Sequence, residues 1–310
     1  MTSASPVKVL CVTGWCRNGS TILGNILNEI PGVFHVGELH FLWKNASGRG
    51  VNELCGCGHK LVDCEFWSTI LPVGRPAGLT LEAHADSVIR AQLAQVRTRH
   101  TWQVLGRGLR NEQIRAHGEL LRQVYRAIAE RSEADLIVDT SKMPGEAALV
   151  SYLDGVEPYY LHLVRDPRAV AQSWSKPKDY VYAMSAGKST AYWTGFNLAS
   201  HAISRRVPQR SMFLRYEDFI ADPASSIDTV LRLCRLDPAL NPMTDRSVEL
   251  HANHTVTGNP DRFNTGVTTI RPTDDSWRRT LPDSAKVAAT ALSLPLSLRY
   301  GYLHRGHGRG

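Results

Sequence analysis

Arg17, Gly19, Ser20 and Thr21 on one segment, and Arg165 with Ser173 on another, are the residues whose types and spacing suit chemistry on an anion. The first group lies in GWCRNGST (14–21), where Gly14 and Gly19 stand five apart and Ser20-Thr21 follow. Between an apolar strand and an amphipathic helix, such a run turns its backbone N–H groups onto an anion, and the helix N-terminus adds its dipole. The spacing is that of a nucleotide-binding phosphate loop, yet Ser20 occupies the lysine position and Arg17 is the nearest cation. Arginine would place a bidentate charge on a different part of the ligand. Taken alone, the run also fits a tight structural turn.

The second group lies in LVRDPRAVAQSW (163–174). Arg165 ends an apolar run, and Ser173 follows eight residues later on a helix opened by Asp166 as N-cap and Pro167 as first helical residue. A cation at a strand end, helix N–H groups and a hydroxyl make a second anion site. The plain alternative is a capped helix with Arg165 paired to a nearby acid.

Both groups need strands to hold them. VKVLCVT (7–13) reads as a buried strand, and Ile22, Leu23, Ile26, Leu27 and Ile30 fall on one helical face stopped by Pro31-Gly32. VFHVGE (33–38), DLIVD (135–139), YYLHLV (159–164) and SMFLRYEDF (211–219) read as further strands, and helical patterns fill roughly 80–100 and 112–132. ADPASSIDTVLRLC repeats the Asp-Pro helix start at Asp222-Pro223. Strand, loop and helix alternate about four times, which predicts an α/β fold with a parallel sheet flanked by helices. In such sheets ligands bind beyond the carboxyl ends of the strands, where these motifs fall. The simplest organisation is one domain over 1–310, with an insertion at about 44–115 and a frayed basic tail, HRGHGRG (304–310).

Composition narrows the classes. The chain is 43% hydrophobic and 21% charged, as expected of a protein with a sizeable core. A net charge of +7 suits a multiply charged small ligand and does not single out nucleic acid. The N-terminus has no basic region before an apolar core, and no apolar run approaches a membrane span, so a cytoplasmic protein is expected. Oligomeric state, a homodimer included, is left open.

R-x-G-S-T near the N-terminus with R-D-P-R-x-x-x-x-S about 145 residues later resembles the PAPS-dependent sulfotransferases, over roughly residues 7–280. The arginine at position 17 is similar to the tyrosylprotein, carbohydrate and bacterial branches, the common cytosolic branch having lysine there. The resemblance implies a P-loop-like three-layer fold in which Arg17, Asn18, Gly19, Ser20 and Thr21 hold the 5′-phosphosulfate of PAPS, and Arg165 with Ser173 hold its 3′-phosphate. Asn18 departs from the family's usual serine. The resemblance also implies Glu38, in HVGELH, as the base for an acceptor hydroxyl, with His40 as rival and an arginine ion pair as the structural alternative. Lys142, in LIVDTSKMP, would sit near the transferring sulfuryl group, and Tyr216 near the adenine. From the loop 254–279, Arg271 and Arg278 are the residues expected over the cofactor. No metal is expected, PAP is the product, and the acceptor is a small-molecule, lipid or carbohydrate-type hydroxyl. Tyr180, Tyr182, Tyr192, Trp193 and Phe196 either shape the acceptor pocket or form helix core.

Two alternatives stand beside that reading. Read as a Walker-B strand, LIVD would place Asp139 on Mg²⁺ and make the protein a P-loop kinase. A protein that binds PAP without transfer is the second. A further stretch, LCGCGHKLVDCEFW (54–67), supplies Cys55, Cys57, Cys64 and His59. Structural thiols or a redox-dependent disulfide involving Cys64 are favoured there. A Cys₃His zinc site is the competing reading, weakened by the lack of a second CxxC. Phe66 and Trp67 either wall the acceptor pocket or anchor the insertion. Cys11 reads as a small core residue.

Overall fold

The VKVLCVT run forms the central strand, β1 (Val7–Thr13), in a computed structural model that describes residues 5–176, 183–272 and 275–303. It is flanked by β3 (Leu136–Asp139) and β4 (Val156–Val164); β2 (Val33–Gly37) lies outside β3 and β5 (Ser211–Arg215) outside β4. The order β2-β3-β1-β4-β5 is parallel throughout. The connections from β1 (to β2) and from its neighbour β4 (to β5) leave toward opposite sides, so a crevice opens at the carboxyl ends of these two strands.

Helices cover both faces, because the inner strands are apolar on both. One face packs Leu10, Val12 and Leu136 against α1 (Ser20–Asn28) and the helix Pro223–Leu233. The other packs Val9, Ile137 and Tyr160 against the helix Glu112–Ser132 and the segment that precedes it. From that segment Leu61, Phe66, Trp67, Ala85 and Val88 enter the same cluster. A third cluster, Trp15, Val164, Trp174 and Trp193, joins the helices Pro167–Ser175 and Ala186–Arg206 behind the phosphate-type loop.

The Asp-Pro starts behave as expected. Asp166 accepts from the Arg168 N–H (2.8 Å) and Asp222 from the Ser225 N–H (3.1 Å), with proline at the first helical position of each. The expected strand 211–219 ends early, at Arg215, and Tyr216–Ala221 is helical. Glu217 and Asp218 sit in that helix's first turn, where carboxylates are favoured by the N-terminal dipole. The expected helix over 80–100 stops at Gln95, and a second one runs from Thr101 to Arg107. Near the C-terminus β6 (Ser247–Leu250) and β7 (Gly266–Thr269) form an antiparallel pair, followed by the helix Asp283–Arg299. Tyr180, Tyr182 and the tail 304–310 lie outside the described residues.

Candidate active site

Four strand ends deliver the site. Arg17 follows β1, Glu38 follows β2, Lys142 follows β3 and Arg165 follows β4, and all four line one cleft of about 290 Å³. Gly19, Ser20 and Thr21, at the N-terminus of α1, line it together with Ser173 and Tyr216. Arg17 (φ 71°), Lys142 (φ 57°) and Thr257 (φ 53°) all line this cleft in the left-handed backbone region. That conformation costs a non-glycine residue roughly 1–2 kcal/mol, a strain that concentrates at functional sites. Gly19 (φ 89°) is required sterically as well, since a Cβ there would stand 2.4 Å from the Tyr216 ring.

Each cation is braced. Arg17 has its guanidinium carbon 4.9 Å from the centre of the Trp174 ring, and Trp174 stacks in turn on Trp15. Arg165 donates to the Arg17 carbonyl (3.3 Å) and lies over Tyr216 (4.5 Å); its buried Nε has no hydrogen-bond partner among the described residues. A buried donor left over in a cleft points to a ligand acceptor. Lys142, only 4% exposed, donates to Glu38 Oε1 (2.7 Å) and to the Thr140 carbonyl (2.5 Å). Burial opposes its charge, but the Glu38 carboxylate outweighs that cost and raises the ammonium pKa above its ordinary value.

The rival acid-base groups are engaged elsewhere. His40 Nδ1 is 2.7 Å from Glu146 Oε2, and Glu146 also meets His117 Nε2 at 2.8 Å. Burial works against the His40 proton, but Glu146 holds its pKa above the usual histidine value. Asp139 accepts from the Tyr125 hydroxyl (2.7 Å) and from the Ser141 N–H (2.8 Å) and hydroxyl (2.5 Å). Burial raises its pKa, and it does not line the cleft. The Mg²⁺-binding role for Asp139 therefore finds no support in the geometry.

A sulfotransferase family model matches residues 10–239. The chain belongs to the sulfotransferase family. Two solved structures share its fold. The sulfotransferase domain of the Synechococcus PCC 7002 olefin synthase is 19% identical, with a TM-score of 0.53 over 96% of this chain and 97% of that one. The sulfotransferase domain of the curacin biosynthetic pathway is 17% identical, with a TM-score of 0.52 over 95% and 99%. No curated protein matches the sequence.

Three expected contacts of this sulfotransferase are placed differently. Asn18 is buried; its amide donates to the Leu163 carbonyl (2.7 Å) and its oxygen accepts from the Ser20 N–H (3.3 Å). Its side chain ties the loop to β4 and does not point into the cleft. Arg278 is on the surface, bonded to Asp275 (3.0 Å), and Arg271 is exposed; neither lines the cleft. From the same loop Thr257, Gly258 and Asp261 reach the cleft. Ser276, Trp277 and Lys176 line a neighbouring depression of about 210 Å³ that shares Arg165 and Ser173.

Of the aromatic residues, Trp193 is core, while Tyr192 is 43% exposed. Trp193 is buried and donates to the Arg165 carbonyl (2.9 Å), while Tyr192 and Phe196 contact Trp15. Phe66 and Trp67 are buried in the same core cluster as Val9 and Ile137. Cys11 is core, as expected. The thiols of Cys55, Cys57 and Cys64 converge, and the histidine among them is His254; His59 approaches Cys57 (3.7 Å) but is not one of the four. Among the described residues no helix is long and apolar enough to cross a membrane.

Proposed function

We propose that this sulfotransferase moves the sulfuryl group of PAPS to a hydroxyl of a small-molecule, lipid or carbohydrate-type acceptor, releasing PAP. The observation that carries the proposal is the convergence of two separate anion-holding groups, the Arg17 loop and Arg165 with Ser173, on the cleft that also holds the Glu38–Lys142 pair. PAPS carries negative charge at both ends of its adenosine, and the cleft offers cations and helix N–H groups for both. The loop N–H groups, Arg17, Ser20 and Thr21 take the 5′-phosphosulfate; Arg165 and Ser173 take the 3′-phosphate.

In the transfer, the acceptor oxygen forms a bond to sulfur as the bond from sulfur to the 5′-phosphate oxygen breaks, and PAP leaves with that electron pair. Glu38 takes the acceptor proton. Lys142 and Arg17 stabilise charge that builds on the sulfuryl and bridging oxygens. The donor has no γ-phosphate, so an NTPase lysine at position 20 would have nothing to reach, and the reading requires no Mg²⁺. The carboxylate, rather than His40, is assigned the base role because it lines the cleft and His40 does not.

Incubation with PAPS and a library of hydroxyl compounds, read by mass spectrometry, tests the proposal. It predicts product ions heavier by one SO₃ with stoichiometric PAP. If PAP binds and no acceptor gains SO₃, binding without transfer is the better reading.

A further inference from the structure

We propose that Cys55, Cys57, Cys64 and His254 form a structural zinc site that fixes the wall of the cleft. The four ligand atoms lie within 4.8 Å of one another. Cys64 Sγ is 3.6 Å from Cys55 Sγ and 3.7 Å from Cys57 Sγ; His254 Nδ1 is 3.3 Å from Cys64 and 3.7 Å from Cys55. Tetrahedral zinc with Zn–S of about 2.3 Å and Zn–N of about 2.0–2.1 Å separates its ligands by about 3.8 Å (S to S) and about 3.6 Å (S to N). A single disulfide, with sulfurs about 2.05 Å apart, would use two of these groups and leave a thiol and an imidazole with no part in it.

The surroundings are built for such a centre. The His254 ring stacks near-parallel with Phe66 (5.4 Å) and Phe34 (6.5 Å), and Trp67 Nε1 donates to the His254 carbonyl (2.6 Å). Phe66 and Trp67 thus orient the ligand that comes from outside their own motif. Gly56, between the first two cysteines, admits the partner segment: a Cβ there would stand 2.2 Å from Asn253 Oδ1. Arg262 is 2% exposed, donates to the carbonyls of Thr255 and Leu54 (2.8 Å each), and makes no ion pair among the described residues. Zinc with three thiolates and a neutral imidazole carries one net negative charge, which this buried guanidinium offsets. Binding converts three thiols to thiolates and releases their protons.

The site joins the inserted segment to the strip 253–257, and that strip touches the cleft. Val256 bridges to Cys55 and Gly37, its carbonyl accepts the Glu38 N–H (2.7 Å), and Thr257 and Gly258 line the cleft. Zinc would therefore position Glu38 and the C-terminal wall without touching substrate. Only this positioning role rests on the proposed function; metal content does not.

Elemental analysis of the full chain, purified without a histidine tag, predicts one zinc per chain. Exchange into Co²⁺ predicts thiolate-to-cobalt charge-transfer absorption with the visible bands of tetrahedral cobalt. Cys64→Ser should lose the metal, His254→Cys should keep it, and His59→Ala should leave it unchanged. Should Cys64→Ser fail to fold, the other two variants and the cobalt spectrum still decide. A reduced, folded chain with no zinc and no tetrahedral cobalt spectrum overturns the proposal, as does zinc loss in His59→Ala with retention in His254→Ala.

Discussion

Lys142 Nζ stands 2.7 Å from Glu38 Oε1, so a buried ammonium ties the carboxyl end of β3 to that of β2 inside the cleft. The pair spans 104 residues of sequence and is held on both sides by backbone, Lys142 through the Thr140 carbonyl and Glu38 through Val256. Such a pair fixes the carboxylate inside the cleft, beside a cation; under the proposed function an acceptor hydroxyl meets it there. Removing one partner of a buried pair costs about 3–5 kcal/mol because the other charge is stranded.

Glu38→Gln preserves the shape and an acceptor for Lys142 but removes the base. Sulfuryl transfer should fall by about 10²–10⁴-fold, while PAP affinity measured by calorimetry changes little. Transfer at the wild-type rate would remove Glu38 from the mechanism. Lys142→Met should lower both turnover and melting temperature, since Glu38 is then left unpaired.

Arg165→Ala separates the two ends of the donor. Losing a charge-assisted hydrogen bond of about 1.5–3 kcal/mol should weaken PAP binding by roughly 10–100-fold. Adenosine 5′-phosphosulfate, which lacks the 3′-phosphate, should be affected far less. Equal losses for the two ligands would mean that Arg165 acts only by bracing the Arg17 carbonyl.

Gly19→Ala would set a methyl 2.4 Å from the Tyr216 ring at a φ of 89°. The loop and the ring cannot both keep their places, so PAP affinity should drop while the far-ultraviolet circular dichroism is retained. Wild-type affinity in this variant would show that the loop geometry does not govern donor binding.

His162 makes acid stability testable. Burial first, and then the nearby His201, hold its pKa at about 3 despite the hydrogen bond to Asn197 (2.8 Å). The unfolded ring protonates below about 6.5, so the unfolded state binds more protons and stability falls as pH drops from about 6.5 toward 3. One such group contributes about 1.4 kcal/mol per pH unit across that window. His40 and His251 are shifted upward and act with the opposite sign, so the comparison must be with a variant. His162→Gln should flatten the urea-derived stability slope between about pH 6 and 5 by roughly that amount. An unchanged slope would contradict the assignment.

Local signals carried far. The apolar run 7–13, the glycines of the loop and the Asp-Pro helix starts act within a few residues, and each reappears in place. Arg17 and Arg165 were legible from their own motifs at strand ends, where ligands of parallel sheets collect, whereas Glu38 and Lys142 were singled out through the family resemblance; all four line the cleft. What depended on long-range pairing was not. His59, near in sequence, was the histidine named with the cysteines, not His254, which reaches them only because Val256 pairs with Gly37 and Cys55. Asn18 looked like a ligand donor, but its amide meets a carbonyl 145 residues away. Arg271 and Arg278 belong to the loop expected over the cofactor, yet it is Thr257 and Gly258 of that loop that line the cleft. Tyr216, expected near the adenine, lines the cleft against Gly19, while its strand was drawn too long, because the acidic pair after it starts a helix.

Titration calorimetry of the full chain with PAP, and separately with ATP and Mg²⁺, tests the central claim most directly. PAP should bind without added Mg²⁺, Arg17→Ala should abolish that binding, and ATP with Mg²⁺ should bind far more weakly, with Ser20→Lys creating no ATPase. Tight binding of ATP with Mg²⁺ and none of PAP would contradict the account.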